Sequence, residues 1–232
     1  MDQRATGIIL RTRPLTETSL IVHWLTPDLG RLSTVAKGAR RPKSPFLGKL
    51  DLFYLADFSF YPSRRGELHT LREVTVREYQ PDLRRELACL EQASYFTQLI
   101  EQATEVNTPL PEAYALMQAA LRLLPRSAPT ALTVYAFEMK LLDQLGLSPE
   151  LSQSNLTAGA REMLKLLRAS PLDASQHVKA SLAQLAEIDR FLRDFLSYHL
   201  NWIPKGREAA REAGRRRIPT ATARISSSAP EG

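Results

Sequence analysis

GRLSTVAKGARRPKSPFLGKL, residues 30–50, is the stretch on which the reading of the chain turns. Arg31–Ala36 reads as a strand that runs straight into Lys37-Gly38. Beyond it Pro42, Pro45, Gly38 and Gly48 disfavour a helix and favour a long exposed loop. Arg31, Lys37, Arg40, Arg41, Lys43 and Lys49 share this window with no Asp or Glu. Like charges so placed repel one another and add little to stability, which points to an anionic partner outside the chain. Point cations on a loop fit a phosphate backbone. The plainer alternative is a solvated loop whose charges only aid solubility. Against it, Phe46, Phe53 and Tyr54 set apolar rings beside the cations, as single-strand binding surfaces require for base stacking.

Outward from this stretch the front of the chain reads as β structure. Gly7–Leu10 is a short apolar run, and Thr18–Thr26 is rich in β-branched and aromatic residues. Asp28-Leu29-Gly30 turns into Arg31–Ala36. After the loop, Leu50–Tyr61 and Glu67–Glu78 alternate apolar with polar residues, joined by a hairpin turn at Pro62–Gly66. Five strands in about 80 residues, with tight turns and one long loop, fit a small OB-type barrel; a sandwich usually needs about seven or more. Hairpin loops flank the binding face of such a barrel, so Arg64 and Arg65 extend the groove made by the basic loop; a merely polar hairpin tip is the alternative.

From Pro81 the period becomes helical. Asp82 is placed to cap a helix reaching Thr104, with one apolar stripe through Cys89, Ala93, Phe96, Ile100 and Ala103 and a second through Leu83, Leu87 and Leu90. Helices follow from Pro111 to about Leu124, from Pro129 to Leu145, around Ala160–Leu167, and along Val178, Leu182, Leu185, Leu192, Phe195, Leu196 and His199. The expected fold class is α+β: a five-stranded barrel over 1–80, a helical bundle over 81–214 and a disordered basic tail over 215–232. Arg207, Arg211 and Arg215 share one helical face, read either as a solvated, ion-paired face or as a second DNA contact.

Charge follows the same division. Residues 1–80 carry 13 Lys and Arg against 8 Asp and Glu, residues 81–203 carry 11 against 14, and residues 204–232 carry 7 against 3. Basic ends and an acidic-leaning middle are expected if the front, and the tail with it, meets nucleic acid while the bundle meets proteins. No apolar run approaches the roughly 20 residues of a membrane span, and the first residues lead into a strand, so a cytoplasmic protein is expected.

Little in the chain points to catalysis or metal binding. The single cysteine, Cys89, excludes an intramolecular disulfide and a thiolate zinc cluster, and its place on an apolar stripe marks a packed thiol. Gly48-Lys49 is not a phosphate loop, because Lys43 stands at the required upstream glycine and Leu50 follows where Ser or Thr is needed. His23 and His199 read as packed or surface residues. Asp51, Asp57, Glu67 and Glu73 lack metal-ligand spacing and read as rim or ion-pair residues. No enzyme activity, cofactor or metal is expected.

Glu17–Ser44, ETSLIVHWLTPDLGRLSTVAKGARRPKS, resembles the amino-terminal signature of the RecO family of bacterial DNA repair proteins. Ser63–Leu68 with Leu71-Arg72-Glu73 is similar to a later block of that family, and Tyr135–Glu138 through Leu145-Gly146 to the core of its helical part. The resemblance spans most of residues 5–200 in order. It implies an OB-fold followed by a helical domain and no enzymatic turnover. It also implies binding of single- and double-stranded DNA and annealing of complementary strands. Together with RecR, such a protein is implied to help place RecA on DNA coated by single-strand binding protein, in a nucleoid-associated setting. Many members carry a four-cysteine zinc module where this chain has the short polar connection Ser148–Thr157. An RNA-binding OB module remains the alternative that the charge pattern alone permits.

Overall fold

The computed structural model describes residues 2–216. Five strands, β1 (Gln3–Pro14), β2 (Leu20–Thr26), β3 (Gly30–Ala36), β4 (Leu55–Tyr61) and β5 (Leu68–Glu78), close into a barrel in the order β1-β2-β3-β5-β4. Every neighbouring pair is antiparallel except β3 and β5, which run parallel from Ser33 opposite Leu68 to Val35 opposite Thr70. This closure leaves no free sheet edge and gives the OB-type barrel expected from the alternation.

Ile9, Val22, Trp24, Leu32, Phe58, Phe60, Leu71 and Val74 fill the barrel. Trp24 stacks on Phe58 with ring centroids 4.0 Å apart, and its indole N–H donates to Thr34 Oγ1 at 2.9 Å, so its one polar group is satisfied inside an apolar core. Part of the outward face of β1 and β2 is apolar as well. Ile8, Leu10 and Leu25 join Phe53, Leu55 and the helices in a second core. The barrel is therefore fastened to the helical part of the chain by hydrophobic burial rather than by a bare linker.

Six helices complete the chain's described residues: α1 (Leu87–Ala103), α2 (Pro111–Leu123), α3 (Ala131–Gln144), α4 (Ala158–Ala169), α5 (Leu182–Leu200) and α6 (Arg207–Glu212). The central one is α3, whose Val134, Tyr135, Phe137 and Met139 have no exposed surface. Phe137 stacks face to face on Phe96 of α1 at 3.9 Å. Thr130 caps α3 by accepting from the Thr133 amide, and Ser181 with Gln184 forms a capping box at the start of α5.

Several expectations are corrected. Leu50–Tyr54 is loop rather than strand, because Phe53 adopts a left-handed backbone (φ 67) that breaks the extended run and turns its ring into the second core. The helix expected from Asp82 is a 3-10 turn, Pro81–Arg85, followed by an extended Glu86 before α1 begins. Leu83 is buried there while Leu87 is 71% exposed, so the second apolar stripe does not form. On α5 the inward face is Ile188, Leu192 and Leu196, whereas Leu182 and His199 face water. Nor is Arg207 of α6 solvated: it is 3% exposed and paired with buried acids. The backbone continues as a 3-10 turn to Arg216. The Arg215 side chain, and the expected disordered tail from residue 217 onward, lie outside what is described.

The short connection Ser148–Thr157 is held by local hydrogen bonds and by apolar packing. Ser148 donates to Asp143, and Glu150 Oε1 accepts from the Ser152 amide and hydroxyl. Leu151 and Leu156 turn inward and are buried, so leucine packing closes the bundle at this point. Among the described residues no three His, Cys, Asp or Glu side chains converge as a metal site, and no helix is long and apolar enough to cross a membrane.

Candidate nucleic-acid interface

The basic loop leaves β3 at Lys37 and returns at β4 through a series of short turns. Gly38, with φ 69, supplies the left-handed residue that swings the chain out of the strand. The Arg41 amide donates to Gly38 O, the Ser44 amide to Arg41 O, and the Leu47 amide to Ser44 O, so the loop carries its own backbone scaffold. It is also tied to the β1–β2 turn. The Arg40 amide donates to Thr18 O at 3.0 Å, and its guanidinium to Thr16 O at 3.3 Å.

Lys37, Arg40, Arg41 and Lys43 are exposed and Lys49 half-buried, and among the described residues none of the five forms an ion pair. Arg64 and Arg65, on the β4–β5 hairpin, are likewise exposed and unpaired. β5 runs parallel to β3 from Ser33 opposite Leu68, so the hairpin before Leu68 lies toward the start of β3, whereas the basic loop leaves from its end, after Ala36. Two segments far apart in sequence thus bracket β3 from its two ends.

Arg31 is set apart from this group. Its Nε donates to Thr104 Oγ1 at 2.8 Å and its Nη2 to the Thr104 carbonyl at the end of α1. Burial pulls its pKa down, with Glu101 opposing. The β2–β3 turn is clasped to the α1–α2 connection: the Asn107 amide donates to Arg31 O and the Leu110 amide to Pro27 O. A side chain at Gly30 would sit 1.8 Å from the Thr108 carbonyl oxygen, so only glycine permits that approach. Arg31 holds barrel and helices together.

The loop rings do not serve as stacking platforms. Phe46 is 6% exposed and closes the barrel interior, and Phe53 is 2% exposed in the second core. A loop this long needs apolar anchors to stay ordered, and these two rings supply them. Tyr54 is half-buried, edge-on to Tyr79 at 5.1 Å and beneath the Arg84 guanidinium. The accessible ring next to the hairpin is Tyr61, 47% exposed with the Arg72 guanidinium 5.1 Å above it.

Two further cations, Arg11 and Arg13, escaped the sequence reading. Ile9 pairs with Trp24, but Arg11 pairs with His23, so Leu10 is an extra residue in β1. That bulge slips the alternation by one and turns Arg11 and Arg13 outward, beside His23 of β2 and Ser33 of β3. Arg-x-Arg at the end of an apolar strand was the available signal; the bulge that gives it meaning was not visible. The His23 ring lies 3.0 Å from Ser33 Oγ. Its pKa is lowered to about 4, first by burial and then by Arg13, Arg11 and Arg31. Glu101 of α1 faces the same group: burial raises its pKa, and Arg11, Arg31 and Arg13 oppose the rise.

The remaining titratable candidates are occupied structurally. The Cys89 thiol is buried, donates to Leu124 O at 3.2 Å and has its pKa raised by burial and by Glu86. Asp51 pairs with Arg84 at 3.0 Å, and Asp57 with Arg77 at 2.6 Å.

Comparison with known proteins agrees with this architecture. Residues 1–80 match the family described as Recombination protein O N terminal, and residues 84–158 the family described as Recombination protein O C terminal. The chain belongs to the recombination protein O family. A protein of Rhodopirellula baltica named DNA repair protein RecO is 35% identical over 143 residues, 62% of this chain and 53% of its own length. One of the same name from Bacillus pumilus is 30% identical over 150 residues, 65% of this chain and 58% of its own. Over most of the chain, 87%, a Roseiflexus protein of that name is 28% identical and is itself covered over 82%. This recombination protein O chain thus spans a little over half the length of the first two relatives.

Proposed function

We propose that this chain is a DNA-binding recombination mediator acting in DNA repair, and that it works by charge neutralisation rather than bond cleavage. One observation carries the reading. Seven exposed or half-buried cations, Lys37, Arg40, Arg41, Lys43, Lys49, Arg64 and Arg65, lie on the two loops that bracket β3 of an OB-type barrel, with no carboxylate paired to them among the described residues. Arg11 and Arg13 extend that field along β1. Phosphates bound there leave bases free, and two strands held on one cationic surface repel each other less, which promotes annealing without nucleotide hydrolysis.

The finer reading follows from the family. The chain binds single- and double-stranded DNA, anneals complementary strands, and with RecR helps load RecA onto DNA coated by single-strand binding protein. The division into a nucleic-acid-binding barrel (1–80) and a partner-binding helical domain (81–214) belongs to the same proposal.

The test is annealing of complementary oligomers precoated with single-strand binding protein, alongside a salt titration of single-strand affinity. Five loop cations on phosphates give a slope of log affinity against log salt of about −3.5, at roughly −0.7 per contact. A flat dependence excludes the electrostatic mode, and an RNA oligomer outcompeting DNA of the same sequence favours an RNA-binding module.

A further inference from the structure

Between β1 and α1 lies a cleft of about 560 Å³, within the range of small-ligand sites, whose lining includes Leu10, Arg11, Thr97, Gln102, Trp202 and Lys205. Its chemistry is unlike that of the phosphate-binding loops. Trp202 is 53% exposed at the rim, although an indole normally buries itself when it can. Thr97 is only 4% exposed, yet its hydroxyl has no hydrogen-bond partner. Gln102 donates through Nε2 to the carbonyls of Leu200 and Trp202, at 3.2 and 2.6 Å, which fixes its amide and leaves its buried Oε1 unpartnered. A donor–acceptor hydroxyl and a lone acceptor, both withdrawn from water without a partner, are unfavourable and make the wall behind the rim polar. Arg11 and Lys205 add positive charge beside them, against Glu101, and the β1 bulge that turns Arg11 outward also delivers Leu10 to the wall.

We infer that the cleft between β1, α1 and the segment after α5 is a nucleobase subsite: it takes one unstacked base of single-stranded DNA against Trp202, with the flanking phosphates on Arg11 and Lys205. The indole supplies the stacking face, and Arg11 belongs at once to the cleft and to the cationic outer face of β1. The inference rests on the reading that the chain binds single strands, and it adds a base-dependent component to one otherwise dependent only on phosphate.

The experiment compares an oligo-dT strand with an abasic strand of equal length and charge, by fluorescence anisotropy on the full chain. The native protein is expected to prefer the strand with bases by roughly 5- to 150-fold, the range set by one stacked base. Trp202→Ala should abolish that preference, Trp202→Phe should retain most of it, and the salt slope should be the same in all three. Equal affinity of the native protein for the two strands overturns the subsite while leaving the phosphate reading standing, as does an undiminished preference in Trp202→Ala. No measurable binding of the native protein to either strand removes both readings. A glutamate-rich peptide that quenches Trp202 where oligo-dT does not would make the cleft a protein-docking site and overturns the inference as well.

Discussion

Arg207 Nε lies 2.8 Å from Glu138 Oε1, with the two side chains 4% and 0% exposed, so α6 is joined to the centre of the bundle by a charge pair out of reach of water. Asp189 of α5 completes the guanidinium's coordination at 2.7 Å, and the Tyr95 hydroxyl donates to the same Glu138 oxygen at 2.5 Å. Burial alone would lower the Arg207 pKa; Glu138, Tyr95 and Asp189 outweigh it and raise it instead. Removing the cation leaves Glu138 without a positive partner in a low-dielectric interior, while Asp189 keeps Arg193 and Arg211. Arg207→Met is therefore expected to destabilise the chain by about 3–5 kcal/mol in urea unfolding. A loss below about 1 kcal/mol would mean that water reaches the acids and the pair is not a latch.

Much of this architecture was readable from the sequence, for reasons that also explain the misses. Alternation identified the last two strands, because a barrel strand with one face inward must repeat with period two, and an apolar run, β-branched composition and a turn signal identified the first three. Alternation failed at Leu50–Tyr54, where Phe53 takes a left-handed conformation that no periodicity announces. Unpaired loop cations were legible from composition alone, since a window without Asp or Glu leaves them no near neighbour in sequence. Which way a loop ring points is decided by tertiary packing, and Phe46 and Phe53 were misread for that reason. Arg207 was misread for a related one: its partners Glu138 and Asp189 lie 69 and 18 residues away. Arg11 and Arg13 acquired meaning only through a one-residue bulge.

Phe46 separates two accounts of the basic loop. If its ring anchors the loop in the barrel, Phe46→Ala removes a buried aromatic and is expected to cost about 3–5 kcal/mol. Single-strand affinity, measured where the variant is still folded, should then change little. A stable variant with reduced affinity would return the ring to a base-stacking role.

Arg11 and Arg13 face outward beside β2 without an ion pair among the described residues. If single-stranded DNA crosses that face, replacing both by Gln should make the salt slope shallower by about 1.4, at roughly 0.7 per lost phosphate contact. Because phosphates carry no sequence information, the loss should be equal for oligomers of different composition. An unchanged slope would confine DNA to the loop and hairpin.

His23 makes the barrel face sensitive to acid. Its folded pKa, about 4, lies below the ordinary value of 6.5, first because the ring is buried and then because Arg13, Arg11 and Arg31 disfavour a further positive charge. Between those two values the unfolded chain binds a proton that the folded chain does not, so stability rises with pH through this window. The full stability is present above about pH 6.5 and declines as the pH falls toward 4. Glu101 works in the opposite sense, since a raised carboxyl pKa favours the folded chain on acidification. The His23 contribution is therefore read as a difference: between about pH 7 and about pH 4 the urea midpoint of the native chain should fall further than that of His23→Gln. Parallel curves would show that the ring titrates as it does in water and that the arginines do not act on it.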